Sequence, residues 1–246
     1  MGALNGKQAL VTGGSRGIGR AVVERLAADG AAVVFSFVDH QAAGEDVVAT
    51  VEAGGGTAWA VRADLGRLDE VRRLFEQAER HLGALDILVN NAGVARFGSF
   101  AEMTEADYDR VMAVNAKGVF FALQQAARRL RDGGRIVNIS TVATVLPSPG
   151  VAAYATSKTA VEQFTLVAAR ELAERAITVN TVSPGFTDTA LFHGLGGPGA
   201  AEASVAMTPL GRLGEPSDIA DVVAFLVGPD ARWLTGQHLR ATGGVA

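Results

Sequence analysis

The chain has 246 residues, of which 48% are hydrophobic, and its formal net charge is −4. This length and composition allow one or two domains with a substantial buried core. The sequence contains no cysteine, which excludes disulfides, thiolate catalysis and cysteine–zinc sites. Mild acidity without a basic block argues against nucleic acid as the main ligand. There is no signal-peptide core and no apolar run of membrane-spanning length, so we expect a soluble cytoplasmic protein.

The first predicted elements are a strand, a glycine turn and a helix. An apolar run over residues 8–12 ends in Gly13-Gly-Ser-Arg-Gly-Ile-Gly19, and a helical apolar pattern follows as far as Asp29. Such a turn presents backbone N–H groups beside a helix N-terminus, where a phosphate binds favourably. The spacing differs from the usual Gly-x-Gly-x-x-Gly dinucleotide fingerprint. The turn alone leaves a purely structural role open, and its strand and helix flanks favour phosphate binding.

The end of the second predicted strand bears on the choice of cofactor. Dinucleotide-binding folds often carry an acidic residue there, which binds the ribose 2′-hydroxyl of NAD. Here the strand ends near Val38, and Asp39 lies slightly beyond. Arg16 lies inside the glycine turn, where a guanidinium could bind the 2′-phosphate of NADP(H). The sequence therefore favours NADP(H) over NAD(H). Asp39 is the opposing observation, because its carboxylate would repel that phosphate, and both residues could also be ordinary surface charges.

The remaining chain alternates between helices and strands. Strands are predicted over 33–38, 57–62, 87–89, 135–140, 178–183 and 238–240, and helices over 42–53, 68–82, 105–130, 151–172 and 216–226. The Gly-rich stretch between the strand over 178–183 and the helix over 216–226 is predicted to be irregular. Its apolar residues suit a substrate lid around 186–208. Regular alternation predicts a parallel sheet covered by helices on both faces, within a single domain over 1–246.

Four candidate ligand-binding segments each follow the carboxyl end of a predicted strand. They are the glycine turn, residues 90–93, Ser140-Thr141 and Pro184-Gly185. Parallel sheets of this class bind their ligands beyond the carboxyl ends of the strands. We therefore expect all four segments to lie along one edge of the sheet, around a common site.

Tyr154 and Lys158 are the candidates for chemistry at that edge. They lie four residues apart on a predicted helix, so both side chains project from one face. A nearby ammonium favours the phenolate and lowers the pKa of a phenol, which ordinarily titrates near pH 10. Such a phenol can donate and recover a proton in one catalytic cycle, and the Thr141 hydroxyl could hold the substrate oxygen. The pair alone leaves open a surface aromatic residue beside a solvated charge.

Several motifs together identify a family resemblance. They are Thr12-Gly-Gly-Ser-Arg-Gly-Ile-Gly19, Asn90-Asn-Ala-Gly93, Asn115, Tyr154-x-x-x-Lys158, Pro184-Gly185 and Ala241-Thr-Gly-Gly244. Through these motifs, which run nearly from one end of the sequence to the other, the chain resembles the short-chain dehydrogenase/reductase family. Pro209-Leu-Gly-Arg-Leu-Gly-Glu-Pro216 and Leu234-Thr-Gly-Gln237 make it most similar to the β-ketoacyl-acyl-carrier-protein reductase branch. The resemblance implies a Rossmann-type three-layer α/β/α domain with a mainly parallel seven-stranded sheet, a nicotinamide cofactor and a homotetramer.

The resemblance also implies roles for individual residues. Tyr154 would be the acid/base, Lys158 would bind the nicotinamide ribose and tune Tyr154, and Asn115 would hold a water in a proton relay. Thr141 stands where the family usually has serine, and threonine is stiff at χ1, so it serves only if its rotamer points the hydroxyl at the substrate. Cofactor binding is implied for Gly13, Ser15, Arg16, Gly17, Ile18, Gly19, Asp64, Leu65, Asn90, Ala92, Gly93, Tyr154, Lys158, Pro184, Gly185, Phe186, Thr187 and Thr189.

The substrate is predicted only as a class. The expected pocket lining is apolar, which suits a hydrophobic ketone or a 3-oxoacyl thioester that is reduced to an alcohol by hydride transfer. An acyl carrier protein is one allowed partner, which Arg128, Arg129 and Arg170 could contact if they are not ordinary solvated charges. The alternatives are a dehydrogenase that oxidises an alcohol or sugar and a non-catalytic NADP(H)-binding protein. The lining residues are Phe97, Val142, Leu146, Val151, Phe186, Leu191 and Phe192.

Overall fold

The computed structural model describes residues 2–195, 197 and 199–246. Its strands are β1 Gln8–Val11, β2 Ala32–Phe37, β3 Thr57–Arg62, β4 Leu85–Asn90, β5 Leu130–Ile139, β6 Thr178–Pro184 and β7 His238–Ala241. All neighbouring strands pair in parallel, in the order β3-β2-β1-β4-β5-β6-β7. The predicted seven-stranded parallel sheet is confirmed.

Helices connect the strands and cover both faces of the sheet. They are α1 Gly17–Ala28, α2 Gln41–Ala53, α3 Leu68–Leu82, α4 Glu105–Met112, α5 Val119–Arg129, α6 Ala152–Glu171, α7 Ala190–Leu195, α8 Ala200–Met207 and α9 Pro216–Val227. Buried residues of α1, α2 and α9 form one core cluster with the sheet, and those of α3, α5 and α6 form the other. Successive strand side chains point to opposite faces, so residues such as Val33 and Val34 in β2 enter different clusters.

The predicted helix over residues 105–130 is helical as far as Arg129, but it is not α-helical throughout. Its middle, Ala113–Gly118, is a π-helical turn between α4 and α5. There the helix passes very close to the loop after β3, since a Cβ on Gly118 would lie 2.4 Å from the carbonyl oxygen of Leu65. Single π-turns inside α-helices are frequent at functional sites. This turn carries Asn115, which the sequence had placed in an uninterrupted helix.

The segment around 186–208 also differs from the prediction of irregular chain. Its described residues include the two short helices α7 and α8, while 196 and 198 lie outside the described residues. Strand β5 begins at Leu130, earlier than predicted, and its pairing with β4 shifts register between Leu85 and Ile87. Within the described residues, none of the helices combines the length and the apolar character that crossing a bilayer requires.

Candidate active site

The turn after β1 requires glycine for two reasons. Gly13 and Gly17 have φ of 69° and 54°, in the left-handed region. A Cβ on Gly19 would lie 2.0 Å from the carbonyl oxygen of Gly13, and a Cβ on Gly13 would lie 2.9 Å from Cα of Ala92. Only glycine lets backbone segments approach this closely. The outcome is a narrow backbone cradle before the N-terminus of α1, which fits a pyrophosphate group.

Asn91 fastens this turn to the end of β4. Its Nδ2 donates to the carbonyl oxygens of Thr12 and Gly13, at 3.0 and 2.9 Å. In return, the hydroxyl of Thr12 accepts hydrogen bonds from the backbone N–H groups of Asn91 and Ala92, both at 3.0 Å. Sequence reasoning assigned no role to Asn91, although its position within Asn90-Asn-Ala-Gly93 was a signal that could have found it.

A cavity of about 520 Å³ opens beside the glycine turn. It runs past the carboxyl ends of β2 and β3 to the loop after β4, so the sheet edge predicted from the sequence carries a cleft. Asp39, Arg110 and the start of α7 also line it. The predicted cofactor residues that line it are Gly13, Ser15, Arg16, Gly17, Ile18, Gly19, Asp64, Leu65, Ala92, Gly93 and Thr189.

The other predicted cofactor residues lie outside this lining. Asn90 is buried, and its Nδ2 donates to Oδ1 of Asn138 at 2.8 Å, which ties β4 to β5. Gly185 packs so closely on β7 that a Cβ there would lie 2.8 Å from Cα of Thr242. Pro184 is the last residue of β6, and Gly185, Phe186 and Thr187 follow it at the same edge of the sheet but beyond the cavity.

Asp64 is held by groups on two sides. Its carboxylate accepts hydrogen bonds from Arg110 and from the backbone N–H of Gly66, both at 2.9 Å. Burial raises the pKa of Asp64, but the hydrogen bonds from Arg110 and Gly66 and the charge of Arg110 outweigh it, so the pKa is lowered. Asp64 is therefore ionised at neutral pH, with a side chain that is already paired. No feature of the sequence pointed to Arg110 as its partner.

Helix α6 brings Tyr154 and Lys158 to the end of β5. The Nζ of Lys158 donates to the carbonyl oxygen of Ile139 at 2.8 Å, and Lys158 is only 3% exposed. A Cβ on Gly93 would lie 3.3 Å from that Nζ, which places the amine directly beside the loop that lines the cavity. The hydroxyl of Thr141 lies next to the Tyr154 phenol and accepts a 3.3 Å hydrogen bond from the N–H of Ala143.

The pKa of Tyr154 does not follow the sequence-based expectation. Burial raises it above the ordinary value, and the Thr141 hydroxyl lowers it by less. Burial also lowers the pKa of Lys158, to about 8. The amine of Lys158 is directed to the Ile139 carbonyl and does not lower the pKa of Tyr154 in this arrangement. The expected lowering is thus absent, because desolvation disfavours both charged forms.

Asn115 is fully buried in the π-helical turn, where its amide makes three hydrogen bonds. Its Oδ1 accepts from the N–H of Val94 at 2.9 Å, and its Nδ2 donates to the carbonyl oxygen of Val94 at 2.8 Å and to the hydroxyl of Ser157 at 3.1 Å. Ser157 in turn donates to the carbonyl oxygen of Tyr154 at 2.7 Å. Asn115 therefore connects the loop after β4 to the helix that carries Tyr154.

Comparison with known proteins bears on this arrangement. A family model described as enoyl-(acyl carrier protein) reductase matches residues 13–246. An uncharacterised oxidoreductase of Methylorubrum extorquens is 47% identical over 247 residues, covering 100% of both chains. A hydroxynaphthalene reductase-like protein of Metarhizium brunneum is 42% identical over 255 residues, covering 98% of this chain and 96% of the relative.

Solved structures give the same picture. The angucycline C-6 ketoreductase LanV with bound NADP is 46% identical, with a TM-score of 0.95, and the match covers 99% of this chain and 97% of that one. The sequence motifs and the seven-stranded parallel sheet agree with such a relationship. The chain belongs to the short-chain dehydrogenase/reductase family of oxidoreductases.

Proposed function

We propose that this protein reduces a hydrophobic ketone to an alcohol with NADPH. The observation that carries the proposal is the convergence of Thr141, Tyr154, Lys158 and Asn115 beside a glycine cradle that fits a dinucleotide pyrophosphate. A bound nicotinamide supplies a hydride to the carbonyl carbon. Tyr154 then gives its proton to the carbonyl oxygen, which completes the alcohol, while Thr141 donates a hydrogen bond to that oxygen.

The protonation state of Tyr154 fits its proposed role as the acid in ketone reduction. A phenol whose pKa is raised by burial keeps its proton at neutral pH. Reduction begins with a protonated acid beside the carbonyl oxygen, whereas oxidation of an alcohol needs the phenolate as base. The alternative, an alcohol or sugar dehydrogenase, would require Tyr154 to act as a phenolate, a form that burial disfavours.

The proposed preference for NADPH rests on Arg16. Its side chain is exposed in the glycine turn, lines the cavity and makes no ion pair within the described part of the chain. A guanidinium there is available for the 2′-phosphate. LanV, whose structure was solved with NADP, supports this choice. Asp39 lines the same cavity, and its carboxylate would repel the 2′-phosphate. The affinity for NADPH therefore depends on the balance between the charges of Arg16 and Asp39.

The proposed substrate is a flat, fused-ring ketone. The ring of Phe97 meets the ring of Tyr154 edge to face, with centroids 6.0 Å apart, and 45% of Phe97 is exposed at the site. Phe186 and Phe192 form a second aromatic pair at the lid, at 6.3 Å. Aromatic walls favour planar apolar ligands over linear ones. The hydroxynaphthalene reductase-like and angucycline ketoreductase relatives point to the same class.

We also propose that the protein is a homotetramer. Phe120 on α5 and Leu166 and Val167 on α6 are 45–48% exposed on neighbouring helices, and Phe120 packs against Phe164 with ring centroids 5.5 Å apart. Burial of such an apolar face against a second copy would be favourable. Light scattering would test this, and a monomer at micromolar concentration would contradict it.

The experiment for the activity follows the absorbance of NADPH and NADH with three substrate groups. These are fused-ring ketones, simple apolar ketones and a 3-oxoacyl thioester, free or on an acyl carrier protein. We expect fastest oxidation with NADPH and the fused-ring ketones, and product with one new hydroxyl group. Faster reaction with the carrier-bound thioester would assign the protein to the carrier-protein branch instead. Binding of NADPH without any turnover would leave the non-catalytic alternative.

A further inference from the structure

Three consecutive residues at the end of β5 each contact the same helix. The carbonyl oxygen of Ile139 accepts from Lys158, the hydroxyl of Ser140 donates to Oε1 of Glu162 at 2.5 Å, and the hydroxyl of Thr141 lies beside Tyr154. The outer two contacts involve residues placed in the proposed reaction. The middle contact involves Ser140 and Glu162, to which neither the sequence motifs nor the comparisons give a role.

His238 lies between Glu162 and Ser183, which is near the end of β6. The Nε2 of His238 in β7 lies 3.5 Å from Oε1 of Glu162 and 2.5 Å from the hydroxyl of Ser183 in β6. Ser140 and Ser183 are 3% and 1% exposed, and the side chains of Glu162 and His238 are 18% and 26% exposed. The four residues thus form a largely buried polar bridge that joins the ends of β5 and β6, the first residue of β7 and α6.

The two ends of this bridge are adjacent in sequence to the two parts of the site. Ser140 immediately precedes Thr141, which is proposed to bind the substrate oxygen. Ser183 immediately precedes Pro184 and Gly185, for which the family resemblance implies cofactor binding. The backbone already links the strands here, since the N–H of Ser140 donates to the carbonyl oxygen of Val182 at 2.8 Å. The side-chain bridge adds the connection to α6.

A carboxylate is an unfavourable choice for simple packing at this position. Glu162 lies one turn beyond Lys158 on the face of α6 that meets the sheet. An apolar side chain could be buried there without the desolvation cost that a carboxylate carries. A largely buried carboxylate must be compensated by polar partners; Ser140 donates a hydrogen bond to Glu162, and the His238 Nε2 lies 3.5 Å from the carboxylate. Such groups contribute geometric specificity more reliably than stability.

We propose that Glu162 is a positioning residue. Its carboxylate lies between Ser140 and His238 and sets the distance between the Thr141 hydroxyl and the Pro184-Gly185 segment. This inference rests on the proposed function, which assigns the substrate oxygen to Thr141, and on the cofactor binding that the family resemblance implies for Pro184 and Gly185. Glu162 touches neither of them. Its removal should therefore impair the chemical step more than the binding of either ligand.

The test compares Glu162→Leu, Glu162→Gln and Ser140→Ala, with Glu171→Leu as the matched control. Glu171 lies exposed at the end of the same helix. We expect kcat for ketone reduction to fall by about 10- to 100-fold in Glu162→Leu, because small displacements of reacting groups have costs of this order. The dissociation constant for NADPH, measured by fluorescence, should stay unchanged. Glu162→Gln retains an oxygen that accepts from Ser140 and should restore most of kcat.

The double variant Glu162→Leu/Ser140→Ala shows whether the two residues act through one contact. We expect it to be no slower than Glu162→Leu alone, because both single changes remove the same interaction. Multiplied effects, or a Glu162→Leu variant as fast as the parent, would overturn the proposal. Equal loss of kcat in Glu162→Gln and Glu162→Leu, with a matching fall in thermal stability, would also reject it in favour of simple structural support.

Hydrogen exchange separates this inference from the proposed function. We expect Glu162→Leu to raise amide exchange both in peptides covering 139–145 and in peptides covering 183–187, while Glu171→Leu raises neither. A parent protein that reduces no ketone would refute the proposed function, and the exchange comparison would still decide whether the bridge holds both segments. Unchanged exchange in both segments of Glu162→Leu would reject the bridge whatever the activity.

Discussion

The side-chain amide of Asn115 pairs with both backbone groups of Val94, accepting from its N–H at 2.9 Å and donating to its carbonyl oxygen at 2.8 Å. The amide thus occupies the place that a neighbouring strand would take beside the loop after β4. The π-helical turn is what brings the side chain there, since an extra residue in the turn rotates Asn115 relative to the rest of the helix. Asn115 therefore holds Val94 in the loop that lines the cavity.

We expect Asn115→Ala to destabilise the fold. It leaves the N–H and the carbonyl oxygen of Val94 without their partner, and an unsatisfied buried group costs about 1–3 kcal/mol. Chemical denaturation should show a loss of at least this order in the free energy of unfolding. Gln163→Ala, on the exposed side of α6, is the control and should change stability little. Equal stability of the two variants would show that water replaces the amide.

The second prediction concerns the proposed acid. Tyr154→Phe removes the only phenolic proton beside Thr141 among the described residues, so ketone reduction should fall by at least about 10²-fold. NADPH binding, followed by fluorescence, should remain. The chain has two tyrosines, and the other, Tyr108, is 45% exposed on α4. Tyr108→Phe is therefore the matched control, and a comparable rate in both variants would remove Tyr154 from the mechanism.

The third prediction tests whether the Thr141 hydroxyl donates the hydrogen bond to the substrate oxygen that a serine usually donates in this family. The oxygen of Thr141 already accepts from the N–H of Ala143, so its own O–H is left to donate. Thr141→Val keeps the shape and removes the donor, and it should lower kcat by about 10²–10³-fold. Thr141→Ser should retain activity. Full activity in the valine variant, with Thr159→Val as the exposed control, would exclude Thr141 as a donor.

The positions of the main site segments could be predicted because they follow from local rules. A glycine turn after an apolar strand, and a tyrosine four residues before a lysine, are recognisable without knowledge of distant contacts. The parallel alternation of elements then places them on one edge. Ser140 and Thr141 lie just beyond the last residue of β5, and both contact α6, Ser140 at Glu162 and Thr141 at Tyr154.

What could not be predicted depends on contacts between distant residues. The π-turn at Asn115 arises where Gly118 meets Leu65, and no periodicity of the helix reveals this. Glu162 in α6 was unremarked because a single carboxylate on a helix is usually solvated, and only the fold brings Ser140 and His238 to it. The raised pKa of Tyr154 is likewise a consequence of burial, which spacing alone does not give.

The fourth prediction separates the two charges at the proposed ribose end of the cavity. Arg16→Ala should weaken binding of NADPH and leave NADH almost unaffected, since only NADPH carries the 2′-phosphate. Asp39→Asn should act in the opposite direction, because it removes a carboxylate from the same cavity. The ratio of kcat/KM for the two cofactors measures both effects. An unchanged ratio in Arg16→Ala would contradict the proposed role of Arg16.

The fifth prediction follows from the buried amine of Lys158. Its pKa is about 8 in the folded chain, against an ordinary value of 10.5. Below pH 8 both states hold the proton. Between these two values the unfolded chain keeps the proton and the folded chain releases it, so the contribution of Lys158 to stability rises with pH in this window. Burial of the charged amine is therefore least favourable at neutral pH and below.

Lys158→Met removes this dependence. We expect the free energy of unfolding of the parent, relative to the methionine variant, to increase as the pH rises from 7 to 10, measured by denaturation at each pH. Lys117→Met, at an exposed lysine, should show no such trend. If the difference between parent and Lys158→Met is the same at every pH, then Lys158 titrates outside this window, and the amine must be charged throughout despite its burial against Ile139.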